Sequence, residues 1–161
     1  MSSPFGLYDT RANGFCQVNF SDYREQVGEW LNGFNWDWWA TFTFRYACSP
    51  YSAKRAFNRF FNATGVNYFY ASEWCGDYHG VHIHALMGNA YGLHRFTTME
   101  KWYQRYGRAR IFAYDVRKKA RYYVCKYIVK SVADWDMRIN SEKFFLTKQS
   151  NIATMQARGT Q

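Results

Sequence analysis

Two short apolar runs in the middle of the chain constrain the fold most strongly. Residues 66–74 are rich in aromatic side chains, residues 81–87 form a second apolar run, and Gly-Asp-Tyr-His-Gly occupies 76–80 between them. Two strand-forming runs separated by a short turn with glycine are typical of a β-hairpin. The sequence therefore predicts an antiparallel sheet built around this hairpin.

The segments before and after the hairpin alternate between strand and helix patterns. Alternating apolar and polar side chains predict a strand, and apolar residues at intervals of three and four predict a helix. Ser-Pro and capping-box starts, together with closing glycines, mark the helix ends. The predicted elements in chain order are a strand at 36–45, a helix at 49–65, the two hairpin strands, a helix from a Thr97–Glu100 capping box to Gly107, a strand at 109–114, and a helix capped by Asp115 that runs from Val116 to about Val132.

This order is the split β-α-β pattern of ferredoxin-like or RRM-like domains. The predicted fold class is α+β, with an antiparallel sheet, helices on one face and a C-terminal helix. We expect one domain at residues 36–139, because the 161 residues suffice for a single ordinary core. Residues 1–35 form an N-terminal segment in which 14–20 is a candidate added edge strand, and the polar residues 140–161 are expected to be a tail or linker.

Positive charge is concentrated in one segment. Residues 101–130 contain ten Lys and Arg side chains and a single acid, Asp115, so the net charge of +9 of the whole protein lies there. Such a field attracts polyanions, among which nucleic acid is the commonest in a cytosol. The aromatic content is 22%, and exposed rings beside basic residues are typical of surfaces that stack unpaired bases; the alternative is that most of these rings belong to the core. No apolar run reaches membrane-spanning length and the four cysteines have no CxxC spacing, so we expect a cytoplasmic protein without a disulfide framework.

Three side chains of the predicted hairpin converge on one face. His82 and His84 share a face because strand side chains alternate, and a turn centred on residues 77 and 78 puts Glu73 opposite His82 with Cβ atoms about 5 Å apart. Two imidazoles and a carboxylate leave open coordination positions and suit Mn, Zn, Co or Ni, or Mg where oxygen ligands predominate. Two alternatives stay open: surface histidines beside a tolerated glutamate, or a zinc site that adds Cys75 and His79 to the two histidines.

A second group of candidate residues lies on the last predicted helix. At about 100° per residue, two tyrosines and three lysines fall within one arc beside the apolar stripe. Nearby cations favour the phenolate form of tyrosine, which is the nucleophilic form. The alternative is a nucleic-acid-binding helix with half-buried tyrosines. The residues of this arc are Lys119, Tyr123, Lys126, Tyr127 and Lys130.

Three motifs together resemble the HUH single-stranded DNA endonucleases, specifically the rolling-circle replication initiators (Rep). They are a His-x-His motif with a hydrophobic centre and an upstream acid, Thr-Phe-Thr-Phe at 41–44, and YxxKYxxK at 123–130. The doubled tyrosine is similar to that of the two-tyrosine initiators of small single-stranded DNA phages. The resemblance spans about residues 38–130, with the motifs in family order.

The resemblance implies an enzyme that nicks single-stranded DNA at a specific site and transfers the strand through a 5′-phosphotyrosine intermediate, which initiates rolling-circle replication. It implies Mn or Mg as the metal, single-stranded DNA at an origin or hairpin as the partner, and no membrane. The chain lacks the helicase domain of many viral initiators and is short for a phage initiator, so we expect an excised domain or a compact plasmid or transposon protein. A separate host helicase and polymerase are the other expected partners. The rival expectation is an RRM-like single-strand-binding module without catalysis. The implied metal ligands are Glu73, His82 and His84, and the implied catalytic residues are Tyr123, Tyr127, Lys126 and Lys130.

Overall fold

The computed structural model describes residues 20–76, 80–118, 124 and 132–140. Its elements are α1 (Phe20–Leu31), β1 (Trp38–Phe42), α2 (Pro50–Phe61), β2 (Asn67–Trp74), β3 (Val81–Gly88), α3 (Arg95–Arg105), β4 (Ala109–Ala113), a 3₁₀ turn (Val116–Lys118) and β5 (Val132–Arg138). In this part of the chain, none of the helices combines the length and the apolar character that crossing a bilayer requires.

The five strands form one antiparallel sheet in the order β4-β1-β3-β2-β5. The predicted α+β class with an antiparallel sheet is therefore confirmed. The central strand β3 pairs with β1 on one side and with β2 on the other, so side chains from three strands surround any residue at its middle. The β2–β5 pairing shifts register between Ser72 and Glu73, which places Val132 opposite Glu73.

The helices α2 and α3 cover one face of the sheet, as the sequence predicts. Ser49 caps α2, because its Oγ accepts a hydrogen bond from the backbone N–H of Ser52 at 3.2 Å, and a proline follows at the first helical position. Phe57 on α2 and Trp102 on α3 are fully buried against Phe42 of β1. Burying one such ring contributes roughly 2 to 3 kcal/mol. This apolar layer fixes the orientation of β1 and β3.

The helix α1 covers part of the other face and is not predicted by the sequence. Its Val27 and Leu31 belong to a second buried cluster with Phe69 of β2 and Leu86 of β3. Most of the candidate edge strand at 14–20 lies outside the described residues, and Phe20 is the first residue of α1. Helix α1 therefore covers only one end of this face.

Two predicted boundaries are wrong. The first strand is shorter than 36–45, and α3 begins at Arg95, where the N-cap residue is His94 and no side chain caps the helix, so the Thr97–Glu100 box does not start it. Asp115 accepts a hydrogen bond from the N–H of Arg117 at 3.0 Å and is followed by a short 3₁₀ turn. Apart from Val124, residues 119–131 of the predicted C-terminal helix lie outside the described residues. Strand β5 begins at Val132 and is not predicted by the sequence, although its Trp135 and Met137 alternate with acids in a period of two.

Candidate metal centre

The hairpin of β2 and β3 brings the three predicted ligands together. Glu73 pairs with His82 and Trp74 pairs with Val81, which is the predicted register. His84 follows two residues after His82 and therefore projects from the same face. The turn at residues 77–79 lies outside the described residues. Local sequence sets this part of the site because a two-stranded hairpin fixes cross-strand partners through its turn.

One carboxylate oxygen lies between the two imidazoles. Glu73 Oε2 is 3.0 Å from Nε2 of His82 and 3.3 Å from Nε2 of His84, and the two ring centroids are 4.8 Å apart. The ligand atoms of all three side chains lie within 4.8 Å of one another. The side chain of His84 is 6% exposed, whereas those of His82 and Glu73 are 24% and 20% exposed. The group is therefore anchored in the sheet at His84 and open to solvent at its other edge.

Each histidine also has a partner on its other ring nitrogen. Nδ1 of His84 lies 3.2 Å from Oγ1 of Thr41 on β1, and Nδ1 of His82 lies 3.6 Å from Sγ of Cys75. The tautomer with its proton on Nδ1 donates to these outer partners and leaves the Nε2 lone pair facing Glu73. That tautomer is the one that ligates a cation, and outer partners of this kind orient metal-binding histidines.

Burial keeps His84 in its neutral form. The pKa of the His84 imidazole is lowered from 6.5 to about 4, because removal from water, the largest cause, and the charge of the nearby His82 together outweigh the hydrogen bond and charge of Glu73, which raise it. Desolvation wins because the side chain lies at the centre of the sheet. A neutral imidazole is the state that binds a metal, so protons do not compete for this nitrogen near neutral pH.

The alternative zinc site finds no support at Cys75. The cluster of candidate ligands among the described residues contains Glu73 and the two histidines but not this cysteine. Cys75 instead contacts the ring nitrogen of His82 that points away from Glu73. The fourth residue of that alternative, His79, lies outside the described residues.

The sheet face around the cluster is partly basic and partly aromatic. His84 on β3 pairs with Thr41 on β1, and Thr41 pairs in turn with Arg110 on β4. On the neighbouring row Phe112 stacks on Trp39, with ring centroids 5.1 Å apart and an angle of 19° between the planes. Phe112 is 47% exposed. A cation and an accessible ring stack therefore share the face of the metal ligands.

The predicted basic segment does not form a single surface. Arg110 lies on the face of the histidines, whereas Lys101 and Arg105 belong to α3 on the opposite side of the sheet. Arg117 forms an ion pair with Asp115 at 3.1 Å. The concentration of charge along the chain is thus divided between two faces in space.

The predicted catalytic residues Tyr123, Lys126, Tyr127 and Lys130 lie outside the described residues. Their roles stay predictions. Between them the structure describes Val124, which is helical and fully buried in the cluster with Phe69, Ala71 and Leu86. Ala71 is paired with His84, and Leu86 follows two residues after it on β3. The residue next to Tyr123 in sequence therefore packs on the sheet face that holds the metal ligands.

A groove of about 280 Å³ adjoins the cluster at His82. Thr43, Tyr46 and Cys75 are among the residues that line it with His82. Neither Thr41 nor Tyr46 is a predicted site residue. The alternation along β1 places Thr41 on the face of Trp39, but the pairing of β1 with β3 joins residues 43 apart in the chain, and no local pattern reports it.

Comparison of the chain with protein-family models, with curated proteins and with solved structures found no match.

Proposed function

We propose that the protein is a metal-dependent endonuclease that nicks single-stranded DNA and transfers the cut strand through a phosphotyrosine bond. The observation that carries this proposal is the approach of two Nε2 atoms to Glu73 Oε2, at 3.0 and 3.3 Å, on the face where Val124 packs. The resemblance of the motifs to HUH rolling-circle initiators supports the choice of DNA and of tyrosine.

The donor set fits a divalent ion. Glu73 supplies a carboxylate oxygen, and His82 and His84 supply two imidazole nitrogens, of which that of His84 is neutral near pH 7. Three protein ligands with a solvent-exposed edge leave positions for water and a phosphate oxygen, as a catalytic site requires. When bound, Mn²⁺ or Mg²⁺ would neutralise charge that develops on the scissile phosphate. The ligand residues would hold the ion and, through it, the DNA backbone.

The tyrosines provide the nucleophile in this proposal. The phenolate oxygen of Tyr123 or Tyr127 attacks phosphorus, the bond from phosphorus to the 3′ oxygen breaks, and the leaving oxygen takes a proton to become a 3′-hydroxyl. Lys126 and Lys130 would favour the phenolate, because a nearby cation stabilises the anion. The 5′-phosphotyrosine retains the phosphodiester energy, so a later 3′-hydroxyl can reverse the reaction and join strands.

Two tyrosines one helical turn apart would allow successive nicks. On a helix, four residues rise about 6 Å along the axis, so both phenols would reach a single phosphate with little movement of the helix. One tyrosine would keep the 5′ end from the first nick while the other makes the second, as continuous rolling-circle replication requires. The DNA would be an origin or hairpin, and separate host proteins would supply the helicase and polymerase.

A binding module without catalysis is the second candidate function. The exposed stack of Phe112 on Trp39 favours it, because accessible rings on a sheet face bind unpaired bases. This surface serves either function. The two candidates differ in whether a covalent bond forms between the protein and the DNA.

The test is to incubate the protein with Mn²⁺ and a pool of labelled single-stranded oligonucleotides and to separate the products on a denaturing SDS gel. We expect a label that comigrates with the protein in the wild type. Tyr123→Phe and Tyr127→Phe should each retain some adduct, and the double variant should form none. Tyr122→Phe is the matched control and should behave as the wild type.

Mass spectrometry of the DNA-linked peptide locates the bond. We expect the adduct on Tyr123 or Tyr127, with a slight preference for Tyr123, which is nearer the middle of the predicted lysine arc. An adduct on Tyr122, or one that persists in the double variant, contradicts the two-tyrosine mechanism. Tight binding of the oligonucleotides with no adduct under any metal condition favours the binding module.

A further inference from the structure

A groove lined by two arginines lies on the opposite side of the sheet from the metal ligands. It has a volume of about 270 Å³, and it lies between α2 and the end of α3. Neither arginine belongs to the predicted basic segment at 101–130. The residues that line the groove are Ser52, Arg55, Ala56, Arg59 and Tyr106.

The groove is cationic, and no carboxylate among the described residues pairs with its arginines. Arg55 and Arg59 are one helical turn apart on α2, so their guanidinium groups lie on the same side of the helix. Both residues are exposed. Within the described part of the chain neither forms an ion pair, and α2 contains no acidic residue. Like charges at this spacing repel, so an anion bound between them is favoured.

Two further arginines continue this surface around Tyr106. The backbone N–H of Arg45 donates to the carbonyl of Tyr106 at 2.7 Å, and its guanidinium lies over the ring of Tyr103, 5.2 Å from the centroid. Arg105 lies over Phe60, whose ring contacts that of Tyr106. Four guanidinium groups thus surround the end of α3, with aromatic rings between them.

The loop after β1 connects this surface to the metal centre. Arg45 contacts the end of α3, while its neighbour Tyr46 lines the groove that contains His82. Both ends of the loop are in close backbone contact with the rest of the fold. A Cβ atom at Gly107 would clash with the carbonyl of Thr43, and one at Gly80 would lie 2.9 Å from the backbone N of Cys48. These backbone contacts hold the loop after β1 in place between the two grooves.

We infer that the groove between α2 and α3 binds the phosphates of single-stranded DNA that extends from the metal centre across Tyr46 and Arg45. Arg55 and Arg59 would each contact a phosphate. The identification of the strand as DNA rests on the proposed function. Charge complementarity supports a polyanion as the occupant, because the groove presents cations without acids.

The exposed rings beside the arginines favour a single strand over a duplex. Tyr46 is 77% exposed, Tyr51 is 68% exposed and Tyr103 is 57% exposed. Arg55 lies over the ring of Tyr51, 5.6 Å from its centroid, in the same arrangement as Arg45 over Tyr103. Interleaved arginines and accessible aromatic rings hold the backbone and stack the bases of unpaired strands, whereas paired bases present no free face.

The test measures how salt affects the binding of a labelled oligothymidylate by fluorescence anisotropy. Arg55→Gln/Arg59→Gln removes two phosphate contacts. We expect the slope of the logarithm of affinity against the logarithm of salt concentration to become shallower by about 1.4, because each contact to a single strand contributes about 0.7. Arg55→Lys/Arg59→Lys retains the charge and should retain the slope.

Arg95→Gln/Lys101→Gln is the matched control, because it removes the same charge from α3 outside this groove. We expect it to leave the slope unchanged. Equal effects of the two double variants, or an unchanged slope in Arg55→Gln/Arg59→Gln, overturn the inference. An equal loss of slope with a duplex probe overturns the assignment to a single strand.

Adduct formation at saturating oligonucleotide separates this inference from the proposed function. Arg95→Gln/Lys101→Gln should form the adduct at the wild-type level, and Arg55→Gln/Arg59→Gln should need a higher oligonucleotide concentration than the wild type to reach saturation. Wild-type protein that forms no adduct contradicts the proposed function and leaves the slope measurement valid. A normal adduct with an unchanged slope contradicts the groove alone.

Discussion

The two faces of the sheet are built from the same strands but differ in what they bury. The face under α2 and α3 is apolar at its centre, where Phe42, Tyr70 and Ile83 are each at most 1% exposed. At its β5 edge Asp134 and Asp136 form ion pairs with Lys54 of α2. The opposite face is apolar under α1 but ends in Glu73 and the two histidines. On β3 the two functions alternate residue by residue, because His82 and His84 flank Ile83.

Neighbouring side chains of β3 therefore have different roles: Ile83 contributes to the stability of the core, and His82 and His84 contribute to the chemistry of the site. Substitutions on the α2–α3 face should change the free energy of unfolding and spare metal binding. Substitutions of Glu73 or His82 should weaken metal binding and spare the free energy of unfolding, whereas His84 is both buried and a metal-ligand candidate. Substitutions of Phe69 or Leu86 under α1 should again change the free energy of unfolding. The predictions below test that separation.

The largest expected effect is the loss of DNA cleavage on removing one imidazole. His82→Ala or His84→Ala should lower the rate of adduct formation by about a thousandfold or more, ~4 kcal/mol in the barrier, because charge stabilisation at the phosphate is lost. Binding of oligonucleotide should remain largely intact, since the basic side chains supply the affinity.

The measurement compares adduct rates and anisotropy in the same Mn²⁺ buffer. His94→Ala is the control, since His94 is exposed beside α3 and outside the cluster. Normal cleavage by His82→Ala or His84→Ala with only trace metal would show that the metal assignment is wrong.

The next effect concerns the residue between the two histidines. Ile83→Ala should lower the free energy of unfolding by about 3 kcal/mol, because a fully buried side chain leaves a cavity under α2 and α3. Its Mn²⁺ affinity in the folded state should match the wild type, since the side chain points away from the ligands. Urea unfolding and metal titration measure the two quantities. A tenfold loss of metal affinity would show that the two faces are coupled.

The pH dependence of stability should report the burial of His84. The pKa of its imidazole is lowered from 6.5 to about 4 in the folded protein, so between these values the unfolded chain binds a proton that the folded chain does not. Stability is therefore lost as the pH falls through this window. Between pH 7 and 5 the metal-free protein should lose about 2 kcal/mol from this group.

Urea unfolding in the presence of a chelator measures this loss. His84→Gln should lose less stability over the same interval, whereas His94→Gln should match the wild type. Equal losses in the wild type and in His84→Gln would mean that other groups determine the pH dependence.

The smallest expected effect is at the outer partner of His84. Thr41→Val keeps the shape of a β-branched residue but removes the oxygen that lies 3.2 Å from His84 Nδ1. We expect Mn²⁺ affinity to fall about tenfold, because such partners orient the ligand and fix its tautomer. Thr43→Val is the control, since its hydroxyl donates to the carbonyl of Arg108 and not to a histidine. Equal affinities of the two variants would show that Thr41 does not position His84.

Local patterns predicted the elements and contacts that local sequence determines. The hairpin register, including Glu73 opposite His82, follows from the turn length and is confirmed. Ser49 and Pro50 fixed the start of α2 for the same reason, since a cap acts within one turn. The predicted start of α3 was wrong because the buried side chains of Thr98 and Trp102 determine how this helix packs, whereas Thr97 is exposed.

Long-range pairings account for what the sequence did not predict. Strand β5 pairs with β2 across a separation of about 60 to 70 residues, and the sequence predicted no element over residues 133–139. Thr41 reaches His84, and Arg45 reaches Tyr106, through contacts of similar range. These contacts depend on the order of strands in the sheet, which composition and periodicity do not encode.

The register of β5 limits how far a bound DNA strand could move. Val132 pairs with Glu73 and lies only five positions after Tyr127 in the chain, so at most about 18 Å of backbone joins them. A DNA end attached to Tyr127 would thus be tethered close to the carboxylate, even if the intervening residues were fully extended. A tether this short corresponds to an effective concentration in the millimolar range or above. The phosphotyrosine would then remain beside the metal ligands, so its attack by a 3′-hydroxyl would need no second protein molecule.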